Sequence, residues 1–206
     1  VTSDLVRTWK GESPQERVDS RRKRLIDAAI DLLGGVEGGQ LTMRAACREA
    51  GLSQRYFYET FTDRDELAGA AYQACYAAML AGIAEDAGGF GTVEDRLHAS
   101  FRAVVTVIER DPRIGRIMFR EAQTDDAVRV HAERALREFF GGLVGSLPES
   151  DVAEPRRREW TTTYLIGALF RLFDEWIASG MPDGDAFVDF CNSSSIATLR
   201  AGGLLR

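Results

Sequence analysis

From Leu25 onward the apolar residues of this chain recur at intervals of three and four, and no stretch alternates with period two for long. Side chains three and four apart share one face of a helix, whereas a half-buried strand needs alternation. No segment is rich enough in β-branched residues to argue for a sheet. The chain therefore reads as all-α, with about nine helices and no internal repeat. At 206 residues it is one generous domain or two small ones. With 45% hydrophobic and 28% charged residues, it is neither mainly disordered nor fibrous.

Punctuation places the helices. Residues 1 to about 20 contain Pro14, several charges and no sustained periodicity, and read as a flexible arm. Leu25, Ala28, Ala29, Leu32 and Leu33 then form a helical stripe closed by Gly34-Gly35 and Gly38-Gly39. Thr42 can cap a helix from Met43 to Ala50, Gly51-Leu52-Ser53 breaks it, and Ser53 caps a second short helix from Gln54 to about Thr60. Two short helices joined by a Gly-bearing turn form a helix-turn-helix unit, in which Gly51 supplies the left-handed residue. Thr62 and Asp65 suggest a capping box opening a helix through Leu67, Tyr72, Tyr76 and Met79. Further helices are expected from Thr92 to Arg110, Asp111-Pro112 to Gln123, Val128 to Phe140, Pro155 to Ser179 and Asp185 to Leu199.

On the helix Gln54–Phe61, Phe57 and Phe61 share a face with Leu52 and pack inward. Gln54, Arg55, Tyr56 and Thr60 cannot all join them. An Arg, a Gln and two hydroxyls left outside on one short helix are groups that read base edges and phosphates in a major groove. The segment RRKRLIDAAIDLLGGVEGGQLTMRAACREAGLSQRYFYETFTDRDEL, residues 21–67, closely resembles the DNA-binding domain of the TetR family of bacterial transcriptional regulators. The LTMR start, the AGLS turn, the F-Y-x-x-F helix and the D-R-D-E-L continuation stand in the family's order and spacing. They cover about a quarter of the chain.

The resemblance implies roles residue by residue. Thr42 and Arg44 fall where the family touches the DNA backbone, with a base also in reach of Arg44. Ser53 opens the reading helix, and Gln54, Arg55 and Tyr56 fall at its variable reading positions, with Thr60 beyond. Tyr58 matches a tyrosine that meets a phosphate, and Arg64 stands where a lysine commonly does the same. The resemblance divides the chain into an arm (1–20), a DNA-binding domain (21–68) and a regulatory and dimerisation domain (69–206). Two departures are noted. Cys47 replaces the usual alanine, as a small buried side chain or as a redox switch. Glu59 lies beside Tyr58, where it repels phosphate, accepts from cytosine, or is solvated or paired within the protein.

In the family the last two helices pair two copies as a four-helix bundle. Here Leu165, Leu169, Leu172, Phe173 and Trp176 form one stripe, and Phe187, Phe190, Ser194, Ala197 and Thr198 the other; ordinary core is the competing reading. A dimer places two reading helices about 34 Å apart and implies a palindromic operator. The family commonly holds a small-molecule pocket in the same domain, which Tyr76, Met79, Phe101, Met118, Phe119, Trp160 and Tyr164 could line; plain core is the competing reading for each, and the effector itself is unknown. The resemblance implies a dimeric repressor released from its operator by that ligand, through a shift between two dimer conformations.

Charge and motif content bound the alternatives. The net charge of −6 argues at first against a nucleic-acid partner, but residues 1–70 carry 11 basic and 12 acidic residues and residues 71–206 carry 15 and 20. The balance excludes only indiscriminate DNA binding. The run Arg21-Arg22-Lys23-Arg24 touches a partner or is a solvated helix start. No GxSxG, Walker A, HExxH or dinucleotide fingerprint occurs, so an enzyme is not expected, and neither is a cofactor. A protein-interaction or DNA-organising module is the other rival. Three spread cysteines and the lone His98 and His131 argue against disulfides or a metal site. Arg supplies 24 of 26 basic residues, as in GC-rich bacterial genomes. No signal peptide is visible, and the apolar run Tyr164–Phe170, closed by Arg171 and Asp174, falls far short of a membrane span. A cytoplasmic protein without a membrane partner is expected.

Overall fold

The computed structural model describes residues 13–36, 39–86, 92–145 and 155–205. Every regular element among them is helical: α1 (Pro14–Gly34), α2 (Met43–Ala50), α3 (Gln54–Tyr58), α4 (Arg64–Asp86) and α5 (Val93–Arg110) come first. Next is α6, the continuous run Pro112–Gly115, Arg116–Glu121 and Ala122–Thr124, followed by α7 (Asp126–Gly145), α8 (Pro155–Ala178) and α9 (Gly184–Ala201). The all-α reading holds, with nine helices among the described residues.

The expected arm is corrected. Residues 1–12 lie outside the described part, while residues 14–20 are already α1. The cause is local: the Ser13 hydroxyl accepts from the Glu16 N–H at 3.1 Å, and the Glu16 carboxylate accepts from the Ser13 N–H at 2.5 Å. With Pro14 at the first helical position, this is a complete capping box. The cap of α4 also differs from expectation, by one residue. Asp63 accepts from the Glu66 N–H at 2.8 Å, and Glu66 accepts from the Thr62 N–H at 2.7 Å. Thr42 does cap α2, at 3.1 Å from the Ala45 N–H, whereas the Ser53 side chain makes no capping bond. Gly51 closes α2 at φ 61°, a conformation that costs an L side chain about 1–2 kcal/mol. Helix α7 runs past Phe140 through the expected stop at Gly141-Gly142.

Helix α6 sits at the centre and packs on α1, α4, α5, α7 and α8. Its middle turn is π-helical, and the wider turn brings Ile117, Met118 and Phe119 inward in succession. Helix α4 packs on α1, α5 and α7. His131 of α7 lies against α4 where Gly69 leaves room; a Cβ there would come within 2.2 Å of the imidazole. Among the described residues α4, rather than the run near Tyr164, is the helix long and apolar enough to cross a membrane. Its Leu67, Ala68, Ala71, Tyr72 and Cys75 are instead spent on packing. Cys47, Cys75 and Cys191 are free and buried, and burial pushes their thiols up, Cys75 and Cys191 to about 12. Cys47 thus packs as a small apolar side chain, not as a reactive thiol.

Arginines join the first three helices to the rest. Arg113 pairs with Asp31 of α1 and with Asp111, and Arg116 donates to the Gly34 carbonyl at 2.8 Å. Arg64 pairs through two nitrogens with Asp125 and donates to the Leu41 carbonyl at 3.2 Å. The guanidiniums hold Asp125 and Asp111 below the ordinary carboxylate range, while burial, and then the charge of Asp125, raises Glu121. A carboxyl depressed in the fold contributes stability that is complete above its unfolded pKa of about 4 and is lost as pH falls through the folded value. Asp125 also caps α7 by accepting from the Val128 N–H at 3.1 Å. Asn retains that acceptor but not the charge. Asp125→Asn is expected to cost about 2 kcal/mol near pH 7 and to flatten the acid limb of stability below about pH 4, read by urea denaturation across pH. An unchanged acid limb would show that the pair contributes nothing.

Candidate nucleic-acid interface

Helix α3 is only five residues long and cannot be stable by itself. It is held by its inner face: Phe57 and Phe61 are buried, with ring centroids 6.0 Å apart, and Leu52 packs beside them. The basic run on α1 is largely exposed and also completes the clamp. Arg21 stands 4.6 Å over the Tyr56 ring and Arg22 stands 4.6 Å over the Phe61 ring. Arg24 donates to the Ala50 and Gly51 carbonyls at the end of α2, where they lack helical partners. Lys23 pairs along α1 with Asp27 at 2.6 Å. Cationic side chains thus lock the turn and both of its helices onto α1.

The outer face of α3 is polar. Gln54, Arg55, Tyr56, Tyr58 and Glu59 are exposed, as are Ser53, Thr42 and Arg44 beside them, while Thr60 is half-buried and donates to the Tyr56 carbonyl at 2.9 Å. Tyr58 keeps 62% of its surface, an unusual amount for a tyrosine whose neighbour Phe57 is fully buried. Arg55 and Glu59 form an exposed pair at 3.0 Å across one helical turn. Such a pair is worth about 0.3–0.5 kcal/mol and is easily exchanged for another partner. This arrangement can present a bidentate guanidinium, an amide and two phenols to a groove.

Arg64 departs from its expected place. Its guanidinium is engaged with Asp125, Asp65 and the Leu41 carbonyl, and lies at the junction of α2, α4 and α7 rather than on the outer face. A cation with a bidentate, partly buried partner is poorly placed to leave it for a phosphate.

A partly open cavity of about 110 Å³ lies between α4, α5, α6, α7, α8 and α9. Tyr76, Met79, Phe101, Met118 and Phe119 line it as expected. Trp160 and Tyr164 do not line it; they are 65% and 66% exposed on the outside of α8. Conversely, Leu165, Leu169 and Phe173, assigned from sequence to a dimer face, line the cavity. Trp176 is core too, stacked 4.7 Å from Phe187, with its indole N–H donating to the Pro182 carbonyl at 2.9 Å. Helix α8 is apolar on two sides, so that Phe173 and Trp176 turn inward, Leu172 faces the outer groove, and Leu165 and Leu169 line both. Its outer side carries Trp160, Tyr164, Ala168 and Leu172 at four-residue spacing, and the last three share a groove with Phe190, Ser194 and Thr198 of α9.

No family model matches the sequence, and no curated protein matches it closely enough to count as a relative. Solved structures do match the fold. A TetR-like transcriptional regulator from Rhodococcus sp. RHA1 is 21% identical with a TM-score of 0.65, over 87% of this chain and 96% of its own. A putative transcriptional regulator from Pseudomonas aeruginosa PAO1 is 22% identical with a TM-score of 0.67, over 98% of both chains. The regulator FadR from Bacillus subtilis, solved in complex with stearoyl-CoA, is 16% identical with a TM-score of 0.68, over 85% of this chain and 96% of its own. The helix order and packing thus have the shape of these molecules along nearly their whole length: the chain has the TetR-like fold.

Proposed function

We propose that this chain is a sequence-specific DNA-binding transcriptional regulator, a bacterial cytoplasmic protein that acts as a dimeric repressor and leaves its operator when a small molecule binds. The observation that carries the reading is α3: a five-residue helix anchored by Phe57 and Phe61 whose whole outer face is Gln54, Arg55, Tyr56, Tyr58 and Glu59. A short polar helix held rigidly beside a second helix suits a major groove. In this reading Gln54, Arg55 and Tyr56 read bases; Thr42, Arg44, Ser53, Tyr58 and Thr60 position the head on the backbone; and Arg64 is a junction residue. Selection of bound DNA from a random pool is expected to return a palindrome. Unrelated recovered sequences would overturn operator recognition.

The outer face of α8 and α9 is the proposed dimer surface, centred on Tyr164, Leu172 and Phe190 in place of the inward-facing residues. Two copies packed there form a four-helix bundle. Helix α4 supports the coupling, since Arg64 and Leu67 at its start hold the head while Tyr76, Met79 and Ile83 near its end line the cavity. A ligand that favours one position of α4 shifts the spacing of the two heads by its differential affinity for the two states.

Three outcomes test the parts separately. Arg55→Ala and Tyr56→Ala are expected to relax sequence preference, whereas Tyr58→Phe weakens binding about equally on all sites, read by competition between operator and mutated operators. Glu59→Gln releases Arg55 and removes a negative charge from the interface. It is expected to raise operator affinity and steepen its salt dependence by about one unit of slope. Phe190→Asp is expected to yield monomers by analytical ultracentrifugation, with operator affinity falling by at least about tenfold. A Phe190→Asp dimer of normal affinity would place the interface elsewhere.

A further inference from the structure

Ser195 lies on α9, 3% exposed, and its hydroxyl has no hydrogen-bond partner. Helical hydroxyls ordinarily return to the carbonyl four residues back, as Ser100, Thr161 and Thr198 do here at 2.8–2.9 Å. Ser195 does not, and an unpaired buried hydroxyl is costly. Ser195 also lines the cavity.

The rest of that cavity is chemically selective. Among the described residues, no Asp, Glu, Lys, Arg or His lines it. The other hydroxyls are occupied or neutral: Ser100 donates to the Arg96 carbonyl, Tyr76 reaches the Ala135 carbonyl at 3.4 Å, and burial pushes the Tyr72 phenol up. An ion entering such a site loses its hydration and finds no counter-charge. A space of about 110 Å³ is on the scale of a single substituted ring.

We propose that the cavity takes an uncharged, mainly apolar molecule bearing one hydrogen-bonding oxygen, and that the Ser195 hydroxyl donates to that oxygen. The proposal rests on the cavity being the effector site of the reading above and adds the chemical class that the site selects. Ser195 stands in the wall shared with the outer groove of α8 and α9, beside Leu165 and Leu169. Its bond to a ligand therefore forms next to the surface where two copies would meet.

Four ring compounds of similar size, acetophenone, ethylbenzene, benzoate and benzylamine, test this on the full chain without DNA, by ligand-observed NMR and calorimetry. Acetophenone is expected to bind about tenfold more tightly than ethylbenzene, with benzoate and benzylamine not binding. Ser195→Ala lowers acetophenone to the ethylbenzene level and leaves ethylbenzene unchanged, and Ser195→Cys, a weaker donor of similar size, falls between them. Binding of benzoate or benzylamine as tight as that of acetophenone overturns the proposal. So does an acetophenone preference that survives in both folded variants, or a Ser195→Ala effect confined to self-association, or failure of all four compounds to bind. Because binding is read on the free protein, these outcomes are independent of operator recognition, which the selected DNA tests alone.

Discussion

Arg64 and Asp125 form the contact on which the two halves of this molecule depend. Arg64 is the first residue of α4, and Asp125 lies between α6 and α7, where it also caps α7. One guanidinium therefore fixes the start of α4 against the body and, through the Leu41 carbonyl, fixes the start of α2 as well. The planar fork of arginine suits this task, since a lysine ammonium cannot hold a bidentate carboxylate and a carbonyl together. Arg113 and Arg116 repeat the device between α1 and α6. The first three helices are thus joined to the rest by directional, charge-assisted contacts as well as by apolar packing, and such contacts resist sliding better than apolar packing alone.

That arrangement recasts the charge of the chain. Several arginines that composition would offer to a phosphate backbone have partners within the protein: the exposed Arg22 and Arg24 on the turn and the helices beside it, and the half-buried Arg64, Arg113 and Arg116 between the first three helices and the rest. On the outer face of α3, Arg55 is matched by Glu59. A surface so nearly neutral offers a polyanion little counterion release. The acidic balance is thus consistent with recognition of a defined site and inconsistent with general DNA coating.

Much of the fold was legible because its signals are local. Thr42, Gly51 and Asp111-Pro112 each set a helix boundary by bonding or backbone preference within four residues, and the structure places those boundaries where the residues imply. The Ser13–Glu16 box is an equally local signal, since both of its bonds span three residues. The inward turn of Phe57 and Phe61, which leaves Gln54, Arg55 and Tyr56 outside, follows from helical spacing alone.

What the sequence could not settle is which of two apolar faces meets which neighbour. Helix α8 carries Leu165, Leu169 and Phe173 on one side and Trp160, Tyr164 and Leu172 on another, and periodicity marks both as apolar. Only the packing of α8 on α6 sends the first set into the cavity and leaves the aromatics of the second outside. Arg64 is a parallel case, since its Asp125 partner lies 61 residues away and no local pattern announces it. The sequence by itself determined most of the helices, their ends and the polar face of α3, because those depend on neighbours within a turn. The tertiary structure alone decided the cavity wall, the outer surface of α8 and α9 and the place of each arginine, because those depend on contacts between residues distant in the chain.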